Sequence, residues 1–333
     1  MKKWLGSIAL GFLSLLLAAV AAGAIAEQLA RRQAVHAFPP PGRMVDIGGR
    51  RIQLDCRGQG LPVVVFEAND LGGSLGWSAV QAEVANTRRA CSYSRAGIMW
   101  SDPADGTRDD KAIADDLHAV LRAAGEHPPF VLVGHSLGNL YNVAYTKYFG
   151  DEVAGLVMVD PAHPDQARQI EAITHRPFSV LAPATKILAK LAWSGLPRLL
   201  IAMDDMPKGM EGAAAYGPQS LVAMARELDN FDKTLADAAT WHALGARPLY
   251  ILTAMAPASP AALQETQMTA AEDLRFRLVW KILHDDEAKW SSASQHRLVP
   301  DSGHRIQSER PQLVIHAIES VVDSVRSGQR PRP

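Results

Sequence analysis

Short, almost purely apolar runs recur along the chain, each closed by glycine or a polar break. PVVVFEA (62–68), FVLVGHS, VAGLVMVD and RPLYILTA (247–254) show no alternation of apolar and polar positions. That is the pattern of strands covered on both faces. RMVDI, a Gly48-Gly49 pair and RRIQLDC predict a hairpin. RRACSYS and QHRLVP (295–300) predict two further strands. Between the strands the period changes to that of helices. NDLGGSLGW reads as a loop entering a helix that runs to about residue 86. DDKAIADDLHAVLRAAG has helical spacing and stops at Gly125, LGNLYNVAYTKYFG follows FVLVGHS directly, and the chain closes with an amphipathic helix within SERPQLVIHAIESVVDSVRS. From about Pro161 to Thr240 the rhythm is helical only, as in SVLAPATKILAKLAW and QSLVAMARELDNFDKTLADA. Strands alternating with helices predict a parallel α/β sheet with helices on both faces, interrupted by one helical insertion. On such sheets ligands bind beyond the carboxyl ends of the strands.

The N-terminus departs from this pattern. Lys2 and Lys3 precede an uncharged apolar run from Trp4 to Ala26. About 20 such residues span a bilayer as a helix, and this run exceeds the usual core of a signal peptide, which favours an uncleaved anchor. AGAIAEQ also offers small residues where a signal peptidase could cut, so cleavage and secretion stand as the alternative. The short basic N-terminus places the main domain outside the cytosol in either case. FPPPGR reads as the linker that follows. The expected organisation is a signal-anchor or signal peptide at 1–30, a linker at 31–42, an α/β core at 43–160 and 245–326, and a helical cap or lid at 161–244.

Composition adds mainly exclusions. The chain has 333 residues, 47% of them hydrophobic, and a net charge of −1. That supports one large core and gives no basic stripe for a nucleic acid partner. H-E-x-x-H, paired C-x-x-C and P-loop patterns are missing, so neither a metal nor an organic cofactor is expected. The two cysteines are Cys56, ending RRIQLDC, and Cys91, opening ACSYS. They read either as buried thiols or, outside the cytosol, as a disulfide, which requires their strands to be neighbours.

VLVGHSLGNLYNVAY (131–145) carries the candidate chemistry. A strand turning sharply into a helix forces its turning residue into a strained conformation. Gly134 and Gly138 relieve the crowding, Ser136 is pushed out at the tip, and the first N–H groups of the helix aim where a nucleophile would attack. A serine hydroxyl needs a base, and the base an orienting acid. Of the 11 histidines, His304 in VPDSGHRIQ follows the last strand and also sits at a carboxyl end. His163 is the rival base. His135 adjoins the serine and reads as pocket wall. The remaining histidines read as solvated or structural.

The order of VVVFEANDLGGSLGW, YSRAG, GHSLG, VMVDPAHPD and VPDSGHRIQSERPQLV resembles the α/β-hydrolase superfamily in its cap-bearing, serine hydrolase form, over roughly residues 43–325. The resemblance implies a mostly parallel eight-stranded sheet whose second strand is antiparallel and borders the fourth, which makes a Cys56–Cys91 disulfide plausible. It implies Ser136 as nucleophile and His304 as base. The acid in such proteins usually follows the strand after the cap. Here that stretch is MAPASPAALQETQ, without a carboxylate until Glu265. A second family location is the end of the strand after the nucleophile, which selects Asp160. Asp165, Glu265, Asp285 and Asp286 are the fallbacks, the last two lying in HDDEAKW, which otherwise reads as a solvated helical face. The oxyanion hole is expected from the N–H of Leu137 and that of Asn69 or Asp70. Ser94 stands where relatives often carry aspartate, which alters how the nearby loop is pinned.

The expected activity is cleavage of carboxylic esters or related acyl bonds through an acyl-enzyme, on a small-molecule substrate with an apolar acyl chain. A serine at the elbow argues against epoxide hydrolases and dehalogenases, which use aspartate there. An acyltransferase, a thioesterase or a cofactor-free perhydrolase would use the same triad, and a ligand-binding pseudoenzyme is the non-enzymatic alternative. ILAKLAWSGLPRLLIAM (187–203), apolar with few charges, reads as a cap packed on the core, or as an acyl tunnel or lipid-facing surface.

Overall fold

The computed structural model describes residues 2–69, 71–176, 183–200, 211–328 and 331. Eight strands form one sheet in the order β1-β2-β4-β3-β5-β6-β7-β8. They are β1 (Arg43–Asp46), β2 (Arg51–Arg57), β3 (Val63–Glu67), β4 (Ala90–Ser94), β5 (Phe130–His135), β6 (Val153–Val159), β7 (Leu249–Ala254) and β8 (Ser294–Val299). β2 is antiparallel to both β1 and β4, and every pairing from β4 onward is parallel. All residues of β3, β4, β5 and β7 are buried, as the unbroken apolar runs require of strands covered on both faces.

The helices supply that cover. α1 (Lys2–Ala37) precedes the sheet; α2 (Ser78–Val84), α3 (Asp110–Ala124) and α4 (Gly138–Tyr148) connect β3, β4, β5 and β6. Between β6 and β7 lie α5 (Gln166–Thr174), α6 (Pro183–Lys190), α7 (Leu196–Leu200), α8 (Glu211–Leu228) and α9 (Phe231–Thr240), with no strand among the described residues. α10 (Pro260–Thr266) and α11 (Ala270–Glu287) join β7 to β8, and α12 (Ile306–Glu309) and α13 (Pro311–Ser327) close the chain. One core lies on the α3–α4 face of the sheet, with Leu117, Leu121, Val143 and Tyr145 against Val65, Leu132 and Leu156. On the other face α2 and α13 bury Val80, Val314, Ile318 and Val321 against Phe66, Val133 and Val157.

α1 is 36 residues long, about 54 Å at 1.5 Å per residue, and is long and apolar enough to cross a membrane. Cys56 and Cys91 are direct cross-strand partners on β2 and β4, and their sulfurs are bonded.

Candidate active site

Ser136 follows β5 and has φ of 51°, the left-handed region that a residue with a side chain enters at a cost. Hydrogen bonds hold it there: its N–H donates to Val159 O at 3.1 Å, and its carbonyl accepts from the N–H groups of Asn139 and Ala162, each at 3.1 Å. The flanking glycines are required by close approach. A Cβ on Gly138 would stand 2.8 Å from Glu67 O, and one on Gly134 would stand 2.7 Å from side-chain atoms of Asn139 and Asn142. β5 thus turns into α4 against the end of β3, and the turn leaves Ser136 at the carboxyl edge of the sheet.

Asp160 stands at the same edge, directly after β6, also with positive φ (42°). Its Oδ1 accepts from Ala254 N–H at 2.9 Å and its Oδ2 from His304 Nδ1 at 2.6 Å. The carboxyl is buried, and burial alone would raise its pKa. The hydrogen bond and charge of His304, with smaller contributions from His284 and the Ala254 N–H, outweigh burial and hold it below the ordinary carboxylate value. An ionised Asp160 accepts a hydrogen bond from Nδ1–H, which fixes the tautomer in which Nε2 carries the free lone pair. Among the described residues, none of Asp165, Glu265, Asp285 and Asp286 hydrogen-bonds or pairs with His304. Asp285 pairs with Lys281 and His296, and Asp286 with Lys289 and His163.

The rival base is occupied elsewhere. His163 is buried, accepts from Asp165 N–H through Nδ1 at 3.0 Å, and faces Asp286 through Nε2. His135 does more than line a wall. Burial, aided by the charge of His304, pushes its pKa down to about 3, so the neutral ring donates from Nε2 to His304 O at 2.8 Å. The two rings lie 4.5 Å apart.

Leu137 has helical backbone angles at the mouth of α4. Asn69 lies in the loop after β3 and is partly buried, while Asp70 falls outside the described residues. Ser94 pins that loop from below. Its Oγ donates to Gln53 Oε1 at 2.8 Å and accepts from Ser74 N–H at 3.3 Å.

Three features of the site were not visible in the sequence. Arg95, in YSRAG, is buried with both its partners: it clasps Glu227 of α8 through Nε and Nη2, each at 2.9 Å, and Glu67 through Nη1 at 2.7 Å. Nη1 also donates to Ala68 O, Tyr93 Oη donates to Glu67, and the guanidinium lies over the Tyr141 ring. Second, buried His284, its pKa pushed down to about 4 chiefly by burial, donates from Nε2 to Pro161 O at 2.9 Å and accepts from Thr253 Oγ1 at 2.6 Å. Third, Glu287 is fully buried, and its carboxyl oxygens lack a hydrogen-bond partner among the described residues. The reading of HDDEAKW as a solvated face is therefore corrected: Asp285 and Asp286 are partly exposed, but His284 and Glu287 point inward, because α11 packs that side on β7 and α5. A cavity of about 510 Å³ lies apart from Ser136, between Val35 of α1, Trp100 and Arg108 of the loop after β4, and Tyr216 of α8.

The profile of the Alpha/beta hydrolase family matches residues 35–317. The chain is 23% identical to the uncharacterized protein YqjL of Bacillus subtilis, over 78% of this chain and 82% of that one. It is 21% identical to an AB hydrolase superfamily protein of Gibberella zeae, over 80% and 87%. A 127-residue match at 32% identity, covering 36% of this chain, reaches only 18% of the length of the probable transporter efuK of Hormonema carpetanum. Among solved structures, an esterase of Thermogutta terrifontis superposes with a TM-score of 0.58 at 19% identity, covering 85% of this chain and 98% of that one. A mutant of a Pseudomonas aeruginosa protein described as a putative epoxide hydrolase gives 0.59 at 16%, covering 88% and 99%. These likenesses establish the fold, and the profile establishes the family: the chain belongs to the α/β hydrolase family.

Proposed function

We propose that the protein is a serine hydrolase of carboxylic esters, with Ser136 as nucleophile, His304 as base and Asp160 as the acid that orients it. The observation that carries the reading is the strained Ser136 at a strand end, its neighbour His135 hydrogen-bonded to His304, which is itself paired with Asp160. In this mechanism Ser136 Oγ attacks the ester carbonyl while His304 Nε2 takes its proton. The C–O bond then breaks, and the imidazolium returns the proton to the leaving alcohol. Water attacks the acyl-enzyme with the same histidine as base, releasing the acid and restoring the serine. The N–H of Leu137 and one from the loop at Asn69–Asp70 receive the oxyanion. Aspartate, the nucleophile of epoxide hydrolases, is replaced by serine at position 136, which favours acyl transfer. The helices of 161–244 act as a cap that selects the acyl chain, and α1 anchors the domain to a membrane. A fluorophosphonate probe tests the chemistry. Wild type is expected to label and Ser136→Ala to lose both labelling and ester turnover; equal labelling of the two would remove Ser136 from the reaction.

A further inference from the structure

The N-terminal helix does not leave the domain freely. It is fastened to the cap at the level where its apolar run ends. Glu27, the first charge after that run, is buried against α7, accepting from Arg198 Nε at 2.7 Å and Nη2 at 3.1 Å. Arg31 Nε donates to the same carboxylate at 2.8 Å. One turn earlier, about 6 Å along the axis, the backbones touch. A Cβ on Gly23 would stand 2.4 Å from Ser194 O, and one on Gly195 would stand 2.8 Å from Gly23 O. Gly23 belongs to the uncharged run. Whatever bilayer receives that run therefore meets the Ser194–Gly195 turn at its own edge.

The cap residues beside this turn fit such a neighbour. Leu199 is 83% exposed and Trp193 56% exposed, with Leu200, Ile187 and Leu196 also exposed. Leu13, Leu16, Leu17 and Val20 of α1 are exposed as well, on the run that leads up to the Gly23 contact. Exposed apolar residues scattered singly need no explanation, but a cluster continuous with a spanning helix does. An aromatic side chain at the edge of the cluster suits the headgroup boundary.

We infer that the turn Ala192–Ser194 and α7 of the cap, around Trp193 and Leu199, rest in the headgroup–hydrocarbon boundary of the bilayer that α1 spans, so that the cap faces the lipid and the site takes esters whose acyl chains reside there. The inference rests on the proposed anchor and esterase, and it commits to lipid rather than to a protein partner. The Glu27–Arg198 pair and the Gly23–Gly195 contact fix the cap in this attitude.

The test uses the full chain reconstituted in vesicles of phosphatidylcholine and phosphatidylglycerol. A nitroxide is placed at Leu199→Cys, with Leu15→Cys as the probe of the span and Arg326→Cys, at the far end of α13, as the aqueous reference. Accessibility to oxygen and to a water-soluble nickel complex is read by electron paramagnetic resonance. The label at 199 is expected to show an oxygen-to-nickel ratio several-fold above that at 326 and approaching that at 15. A ratio at 199 equal to that at 326, with 15 oxygen-favoured, would overturn the cap placement alone. A nickel-favoured label at 15 would overturn the span and this inference with it. Low accessibility of 199 to both reagents would mean cover by a protein chain, and also overturn it. In activity, Leu199→Glu is expected to lower kcat/KM several-fold on a long-chain ester held in the vesicles and to leave a soluble short-chain ester unaffected. Equal loss on both would count against the inference. A wild type inactive on both esters would refute the esterase while leaving the accessibility result to stand.

Discussion

The protons around His304 are placed by two buried neighbours. Asp160 accepts from Nδ1, and neutral His135 donates to the His304 carbonyl, so ring tautomer and backbone are fixed from opposite sides. Asp160→Asn keeps the shape but loses the charge that holds the tautomer, and is expected to lower kcat by about 10³–10⁴. Steady-state kinetics on a short-chain ester check it; full activity would move the acid role elsewhere. Glu287 gives a pH test of the same neighbourhood. Burial, with the nearby charges of Asp160 and Asp286, pushes its pKa well above the ordinary value, so the folded protein keeps this carboxyl protonated. The unfolded chain releases that proton above about pH 4.3. The stability this group contributes is thus fully present below about pH 4.3 and is lost as pH rises toward the folded pKa, at up to about 1.4 kcal/mol per pH unit. Glu287→Gln is expected to match wild type near pH 4 and to be the more stable protein at pH 8, measured by urea unfolding. Equal stability at pH 8 would mean that Glu287 is ionised in the fold. His135 and His284, held neutral, contribute with the opposite sign, so only the comparison with the variant isolates Glu287. Ser136, His304 and Asp160 were legible as candidates because each directly or closely follows an apolar run. His135 and Glu287 were not, because their roles depend on which element packs over them.

At the scale of elements, Arg95 ties the loop after β4 to β3, to the Tyr141 face of α4 and to α8 of the cap. It carries two buried carboxylates, Glu67 and Glu227, the latter 132 residues away in sequence. Arg95→Met would leave both buried carboxyls without their cation, at a cost of about 3–5 kcal/mol, seen as a large fall in Tm. Loss of activity without loss of Tm would instead point to the Ala68 carbonyl, and so to the placing of the loop after β3. Gly138→Ala would drive a methyl against the Glu67 backbone, and is expected to cost about 1–3 kcal/mol by thermal unfolding. Reduction of the Cys56–Cys91 bridge, which closes a sequence separation of 35, is expected to remove about 2–4 kcal/mol, also read as Tm. Strand and helix identities were legible from periodicity, and the hairpin from its Gly48-Gly49 turn. The Arg95 clasp was not, since charged residues far apart in sequence carry no mark of being partners.

Over the whole molecule, the sheet order places the carboxyl ends of β3, β5, β6 and β7 along one edge, and the helices between β6 and β7 follow from that edge. α1 makes its tightest approach to the domain against those same helices, through Glu27, Gly23 and the 194–198 segment. The N-terminal helix and the helices between β6 and β7 are therefore joined to one another. The apolar character of both was plain in the sequence, but their contact was not, because hydropathy has no direction.

The sequence by itself determined the α/β class, the position of the helical insertion, the apolar N-terminal run and the serine elbow. Each of these rests on local periodicity or on backbone sterics within a few residues. Only the tertiary structure decided that His163 turns toward Asp286, that Arg95 joins β3 to α8, and that Glu27 locks the N-terminal helix to α7. These are pairings between distant segments. Their energy comes from removing charges and donors from water together, and that happens only once packing has made them neighbours.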